Sequence, residues 1–181
     1  MRTHIRGGRV VDPANDIDAT TDLFLADGHI LAVGDEAPAG FTADETIDAA
    51  GRVVAPGLVD LQARLREPGQ EYKGDIASET RAAIRGGITT LCAPPDTDPP
   101  IDTPAVASLL IERAEDVGAA RVLPVGALTA GLAGEHISEM VNLYRAGCVA
   151  FSNNRYPITN TQELRRAMEY AATCDLTVLI H

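Results

Sequence analysis

Short apolar runs separated by turn residues fill the first fifty-five residues of the chain. The run at 5–11 predicts a strand. Two apolar runs within 23–33 flank Asp27-Gly28, a dipeptide typical of a two-residue hairpin turn. Residues 46–54 predict a further pair of short strands. No long helical periodicity interrupts them, so residues 1–55 are predicted to form a small β-sandwich-like module.

From residue 56 onward, short apolar runs alternate with stretches of helical periodicity. This alternation predicts βαβ units and a parallel sheet. The predicted strands are 57–61, 88–93, 121–125, 148–151 and 176–180, and the predicted helices are 75–85, 103–117, 136–146 and 161–173. A closed (β/α)8 barrel needs eight of each and about 250 residues.

Residues 56–181 are therefore expected to be the first five strands of an α/β (β/α)8 TIM barrel. Two explanations remain open: a fragment of a longer protein, or a complete open α/β sheet. We favour the fragment, because a barrel strand without its following helix leaves an apolar edge.

Charge and hydropathy narrow the class of function. The net charge of −11 argues against a nucleic-acid partner and against an anionic membrane surface. No apolar run approaches the roughly 20 residues of a membrane span, and the N-terminus lacks the apolar run of a signal peptide. We expect a soluble acidic protein of the cytoplasm.

Cysteine and histidine usage gives no metal-binding pattern. Cys92, Cys148 and Cys174 include no C-x-x-C pair, so neither a disulfide framework nor a zinc knuckle is indicated. Each cysteine lies in an apolar stretch and is expected to be a small buried hydrophobe. The histidines outside any ligand-like spacing, which are expected at the surface, are His4, His29 and His136.

The most informative stretch reads VAPGLVDLQARLREPGQE over residues 54–71. In a strand, Asp60, Gln62, Arg64 and Arg66 would project from one face, because residues two apart share a face. Barrel folds place functional groups at the carboxyl ends of their strands. Spacing alone is equally consistent with a polar strand end that meets solvent.

The motifs resemble those of the dihydroorotase family within the cyclic amidohydrolases. APGLVDL and LREPGQEYK resemble the dihydroorotase version of the family signature. Further stretches follow in family order: GGRVVDP, DGHILAVG, TIDAAGRVVAPG, DIASETRAAIRGGITTL, IDTPAVASLLIERA, RVLPVGALTAGLAGE, AGCVAFSNN and LRRAMEYAATCDLTVLIH. The resemblance implies an amidohydrolase-type barrel and a place in pyrimidine biosynthesis.

The same resemblance implies that the metal ligands are largely lost. The family's His-x-His pair maps onto Gln62 and Arg64, and an aspartate ligand maps onto Asn153, so His181 is the only mapped ligand kept. A neutral amide is a weak zinc ligand, and a protonated guanidinium has no lone pair to offer and repels a cation. We therefore expect no bound metal, and zinc only if the protein is an active enzyme.

Two further positions concern the substrate carboxylate. The arginine that binds it in the family maps onto Arg66, which is kept, whereas an asparagine maps onto Asp96. An ionised Asp96 would repel a carboxylate. Arg66 is expected to pair with a nearby acid, for which the candidates are Glu67, Asp96 and Asp98.

Arg64 is expected to fill the vacated metal position with its own positive charge. Its expected partner is Asp60, Glu67 or a later carboxylate. A single histidine such as His181 at a strand end is more often simply hydrogen-bonded than a metal ligand.

Three functions follow from these patterns. The first is a non-catalytic dihydroorotase-like protein that assembles with the aspartate transcarbamoylase catalytic subunit, as the AATCDLTVL and LCAPP stretches suggest by resemblance; such a protein would be oligomeric. The second is an active dihydroorotase with a rearranged metal site. The third is a barrel that uses Arg66 to sense a carboxylate metabolite.

A chain ending at His181 would lack the family's later histidine and catalytic aspartate, which also argues against catalysis by this chain alone.

Overall fold

The computed structural model describes residues 1–180, so His181 lies outside the description. Residue contacts divide the chain into two compact units, Met1–Pro56 and Gly57–His181. The strands of the first unit are β1 (Arg2–Asp12), β2 (Ile17–Ala26), β3 (His29–Val33), β4 (Glu45–Asp48) and β5 (Val53–Val54). They form one mixed sheet with the strand order β3-β2-β1-β4, in which β5 also pairs with β1. The predicted hairpin is confirmed, since Asp27-Gly28 joins β2 to β3.

A bulge at Gly7-Gly8 allows β1 to pair with two parallel strands, β4 and β5. The pairing of β1 with β2 shifts register between Ile5 and Gly8, and β1 then pairs with β4 on one side of the bulge and β5 on the other. A Cβ atom at Gly8 would lie 2.6 Å from Val54 Cγ2 and 2.9 Å from Ala49 Cβ. Only glycine permits this close approach without displacing a neighbour.

His4 is not the surface residue that its spacing suggested. Its Nε2 lies 2.7 Å from Asp22 Oδ2, and its ring stacks on Phe24 with a centroid distance of 4.6 Å. Asp22 Oδ1 accepts a further hydrogen bond, of 2.8 Å, from the Gly7 amide in the bulge. Burial alone would raise the Asp22 pKa, but the Gly7 and His4 hydrogen bonds outweigh it and lower that pKa below its ordinary value.

The elements of the second unit are β6 (Leu58–Asp60), α1 (Ile76–Arg85), β7 (Ile88–Ala93), α2 (Pro104–Val117), β8 (Arg121–Ala127), α3 (Met140–Arg145), β9 (Ala150–Ser152) and α4 (Thr161–Thr173). Its strands form a four-stranded sheet with the order β6-β7-β8-β9, and all three strand pairings are parallel. The alternating order confirms the expected partial α/β barrel.

Helix ends follow local sequence signals. Asp75 and Ser78 form a capping box at the start of α1, and Asn160 caps α4 by accepting from the backbone amides of the first turn. Pro104 opens α2, and Gly118 ends it in the left-handed conformation at φ 62°.

Two predicted elements differ in the structure. The helix predicted at 136–146 is shortened to α3, because Ile137 bridges to Thr129 and the Ser138 amide bonds to Leu128 O, which keeps this segment extended. The strand predicted at 176–180 is reduced, within the described residues, to one parallel bridge between Phe151 and Val178. Its neighbour β9 has only three residues and so offers little pairing length.

The core of the second unit lies between the sheet and its helices. Its fully buried members include Ile76, Ile101, Leu110, Met140, Leu143 and Phe151. Cys92 and Cys148 are buried as expected, and burial raises the Cys148 pKa to about 12. Cys174 is only half-buried, because it lies at the C-terminal end of α4.

None of the helices among residues 1–180 combines the length and apolarity needed to cross a membrane.

The Asp22 contacts predict an acid-dependent contribution to stability. The folded-state pKa of Asp22 lies below its unfolded value of about 3.9. Its contribution is therefore complete above about pH 4 and is lost as the pH falls through the lower folded value. Asp22→Asn should lower the free energy of unfolding by about 1 kcal/mol at pH 7 and weaken the acid dependence, as measured by urea denaturation at several pH values.

Asp18→Asn is the matched control on the same strand. Asp18 pairs with Arg9 at 2.7 Å, but its side chain is 56% exposed, whereas that of Asp22 is 18% exposed. Solvent screens the exposed pair, so this variant should unfold like the unmodified protein. Equal effects of the two substitutions would contradict the importance assigned to the partly buried Asp22 contacts.

Candidate functional site

The loops that follow β6, β7 and β9 carry the polar residues singled out from the sequence. Because the strands are parallel, their carboxyl ends meet at one edge of the sheet. Gln62, Arg64 and Arg66 follow β6, Asp96 follows β7, and Asn153 follows β9. Side-chain bonds at this edge cross between the three loops.

An ion pair joins Arg64 to Asp96. Arg64 Nε donates to Asp96 Oδ2 at 3.1 Å, and Arg155 Nε lies 3.6 Å from the same oxygen. The Asp96 side chain is 4% exposed, whereas those of Arg64 and Arg155 are 35% and 62% exposed. The expectation that Arg64 pairs with a later carboxylate is confirmed. The negative charge of the Asp96 carboxylate is thus compensated by two nearby guanidinium groups.

Gln62 bonds to the loop after β9. Its Nε2 donates to Asn154 Oδ1 at 2.6 Å, and its backbone amide donates to Asp60 Oδ1 at 2.9 Å. Asn154 adopts the left-handed conformation at φ 49°, which asparagine tolerates better than most residues. Sequence reasoning missed Asn154 and Arg155. The available signal was the polar run Asn-Asn-Arg immediately after a buried strand.

Asn153 faces the loop after β8. Its Oδ1 accepts from the Thr129 amide at 3.0 Å and from Thr129 Oγ1 at 2.9 Å, while its Nδ2 donates to Leu132 O at 3.4 Å. Asn153 and Thr129 are both buried. Both ends of the Asn153 amide are therefore engaged with protein groups.

Arg66 does not pair with any of its expected partners. It is half-buried, adopts the left-handed conformation at φ 67°, and lines a small cavity together with Arg64, Glu67 and Asp96. Within residues 1–180, no carboxylate lies within 4.0 Å of its guanidinium.

Glu67 is instead engaged at the start of α1. Its carboxylate accepts from the Ile76 amide at 3.1 Å and lies 3.7 Å from Arg113.

The residues at the mapped ligand positions do not fit a zinc site. Gln62 is bonded to Asn154, Arg64 carries a fixed positive charge, and the Asn153 oxygen is held by Thr129. Across residues 1–180, no three side chains of His, Cys, Asp or Glu come together in a way that could hold a metal ion. The remaining mapped ligand, His181, lies outside the described residues.

Comparison with curated proteins gives close relatives. The chain is 56% identical over 179 residues to a dihydroorotase-like protein of Pseudomonas aeruginosa, and 55% identical over 181 residues to one of Pseudomonas putida. It is 45% identical over 181 residues to a dihydroorotase of Trichlorobacter lovleyi. The matches cover 99–100% of this chain but 42% of each relative, so the chain spans about two-fifths of their length.

Solved structures share the fold. An L-hydantoinase (dihydropyrimidinase) from Arthrobacter aurescens superposes with a TM-score of 0.82 at 22% identity, covering 99% of this chain and 40% of that one. A D-hydantoinase superposes with a TM-score of 0.71 at 23% identity, covering 100% of this chain and 40% of that one.

The model of the Dihydro-orotase-like family matches residues 51–181, which is most of the chain and includes all the loops of the candidate site. Together with relatives more than half identical over nearly its whole length, this match shows that the chain belongs to the dihydroorotase-like family of the amidohydrolase superfamily.

Proposed function

We propose that the chain is part of a non-catalytic dihydroorotase-like protein of the cytoplasm that contributes to pyrimidine biosynthesis as a structural partner of the aspartate transcarbamoylase catalytic subunit. One observation supports the loss of catalysis. Each side chain at the described ligand positions is engaged with another protein group: Gln62 with Asn154, Arg64 with Asp96, and Asn153 with Thr129.

The chemistry of cyclic amide hydrolysis explains why these bonds matter. A metal ion in such an enzyme polarises the carbonyl and supplies hydroxide near neutral pH, which needs imidazole or carboxylate ligands. Here an amide and a guanidinium stand in the loop after β6, and an amide follows β9. A guanidinium at a ligand position repels a divalent cation instead of binding it.

The partner role rests on family resemblance. The chain resembles non-catalytic dihydroorotase-like proteins associated with aspartate transcarbamoylase. Its relatives in two Pseudomonas species are named dihydroorotase-like proteins, which supports the family on which this resemblance depends. An oligomeric assembly without bound metal is part of the proposal.

Metal content and turnover test the loss of catalysis. The full-length protein should hold far less than one zinc ion per chain and should not hydrolyse dihydroorotate, because three mapped ligand positions lack a suitable donor. Elemental analysis and an activity assay on one preparation measure both, with an active dihydroorotase purified in parallel as control. Stoichiometric metal together with turnover would establish the alternative, an active enzyme with a rearranged site.

Co-purification tests the partner role. When the tagged full-length protein is co-expressed with the aspartate transcarbamoylase catalytic subunit of its own organism, the two should elute as one complex from size exclusion. The complex should persist in a chelator, because no metal is assigned to it. An unrelated tagged protein of similar size is the control, and separate elution at micromolar concentration would refute the role.

The Asn153 contacts predict that a family-like aspartate is unfavourable in this chain. Asn153→Asp replaces the Nδ2 donor with an oxygen that faces Leu132 O inside the protein. The free energy of unfolding should fall by about 1–3 kcal/mol, as measured by urea denaturation, with no gain in zinc affinity by calorimetry.

Asn160→Asp is the matched control for this change. The Asn160 side chain only accepts hydrogen bonds, from the Gln162 and Glu163 amides at the start of α4, and aspartate caps a helix equally well. This variant should keep full stability. If Asn153→Asp proved stable and bound zinc, the structural role given to Asn153 would be wrong.

A further inference from the structure

Helices α1 and α2 form an outer face of the second unit. They pack side by side and connect β6 to β7 and β7 to β8, so both run in the same direction and end at the same edge of the sheet. Each helix buries one side, with Ile76 and Thr80 buried in α1 and Leu110 and Ala114 buried in α2. The opposite sides of both helices are therefore turned outward.

The outward sides of the two helices carry opposite charges. In α1, Arg81 and Arg85 are exposed and lie one turn apart, and we call them the basic row. In α2, Glu112 and Asp116 are exposed with the same spacing, and we call them the acidic row. Within residues 1–180, none of these side chains forms a salt bridge. The charges of both rows are thus not compensated by ion pairs within the chain.

The acidic row lies towards the C-terminal end of its helix. Asp116 is the last residue but one of α2, and the last turn of this helix contains no basic residue. The C-terminal end of a helix carries partial negative charge, so an acid there is unfavourable unless a cation lies nearby. Two exposed apolar side chains accompany the rows, Leu109 of α2 at 41% and Ile84 of α1 at 44% exposure. The face therefore offers both charge and apolar area to a partner.

We propose that this face binds the same face of a second copy of the chain. A two-fold axis parallel to the helices places α1 of each copy on α2 of the other, because the two helices lie side by side. The levels also agree. Arg85 is the last residue of α1 and Asp116 the last but one of α2, and the other member of each row lies one turn earlier. Each basic row then meets the acidic row of the other copy.

A second copy fits these features better than a foreign protein. A face that carries both charges with equal spacing is complementary to itself, which is the requirement of an isologous dimer. Helices α1 and α2 have 10 and 14 residues, which corresponds to lengths of about 15 and 21 Å. Two helices of this length give a contact at the small end of specific interfaces, so we expect a dissociation constant in the micromolar range.

This inference deepens the proposed function and rests on it for the oligomeric assembly that is part of that proposal. Its test uses the full-length protein alone, without the aspartate transcarbamoylase catalytic subunit. Failure of the dimer therefore leaves the partner role standing, and failure of co-purification leaves the dimer standing.

Charge reversal on one row at a time tests the contact. The double variants Arg81→Glu/Arg85→Glu and Glu112→Arg/Asp116→Arg each place like charges across the interface, so each should weaken dimerisation by about tenfold or more. Sedimentation equilibrium measures the dissociation constant, which for the unmodified protein should rise several-fold between about 50 and 500 mM sodium chloride. Thermal unfolding should show both variants folded, because the substituted side chains are exposed.

An equimolar mixture of the two variants is the decisive measurement. In the mixture, the acidic α1 of the first variant faces the basic α2 of the second, and the acidic α2 of the first faces the basic α1 of the second. Both contacts are then complementary, so the mixture should form a heterodimer with an affinity close to that of the unmodified protein. The matched control is Arg52→Glu/Arg145→Glu, which reverses two exposed arginines on neither helix and should dimerise normally.

The outcomes are distinct. Loss of dimerisation in each variant and its return in the mixture supports the proposal. A monomeric unmodified protein would overturn it and leave the face to another part of the full-length chain or to a foreign partner. A dimer that neither reversal weakens, or weakening that the mixture does not restore, would also overturn it, because the two rows would then not face each other.

Discussion

The constraint on which the candidate site depends is the burial of one carboxylate. Asp96 has a side chain that is 4% exposed, and a buried charge without compensation would cost several kilocalories per mole. Arg64 and Arg155 supply that compensation from two other loops. Because all three residues follow strands of one parallel sheet, neutralising Asp96 also fixes the loops after β6, β7 and β9 relative to each other.

The same requirement explains why the edge of this sheet is chemically unlike a metal centre. A metal site gathers donors around a cation, so its protein groups are neutral or negative. Here the cations belong to the protein, and the group they surround is an acid. Arg64 thus places a positive charge where a metal ligand would have to be neutral or negative. It still links two loops at this edge of the sheet, because it pairs with Asp96.

Hydrogen bonds of side-chain amides also link the loops at this edge of the sheet. An aspartate at position 153 could only accept hydrogen bonds, whereas Asn153 accepts from Thr129 and donates to Leu132 O. Gln62 and Asn154 likewise join the loops after β6 and β9. Of these amides, only Asn153 both accepts and donates, a role that a carboxylate could not fill in the same buried position, whereas Gln62 donates to Asn154.

The sequence by itself determined the elements with strong local signals, and its resemblance to the family singled out the residues of the candidate site. Asp27-Gly28 determined the hairpin, Asp75 and Gly118 marked helix ends, and the resemblance drew attention to Gln62, Arg64 and Asn153. Tertiary structure alone decided the partners, because Gln62 and Asn154 lie 92 residues apart and Arg64 and Asp96 lie 32 apart. It also decided that His4 is half-buried and that α3 begins at Met140, since long-range contacts with Asp22 and Thr129 override local preference. Local patterns act within a few residues, whereas burial and charge compensation depend on which segments the fold brings together.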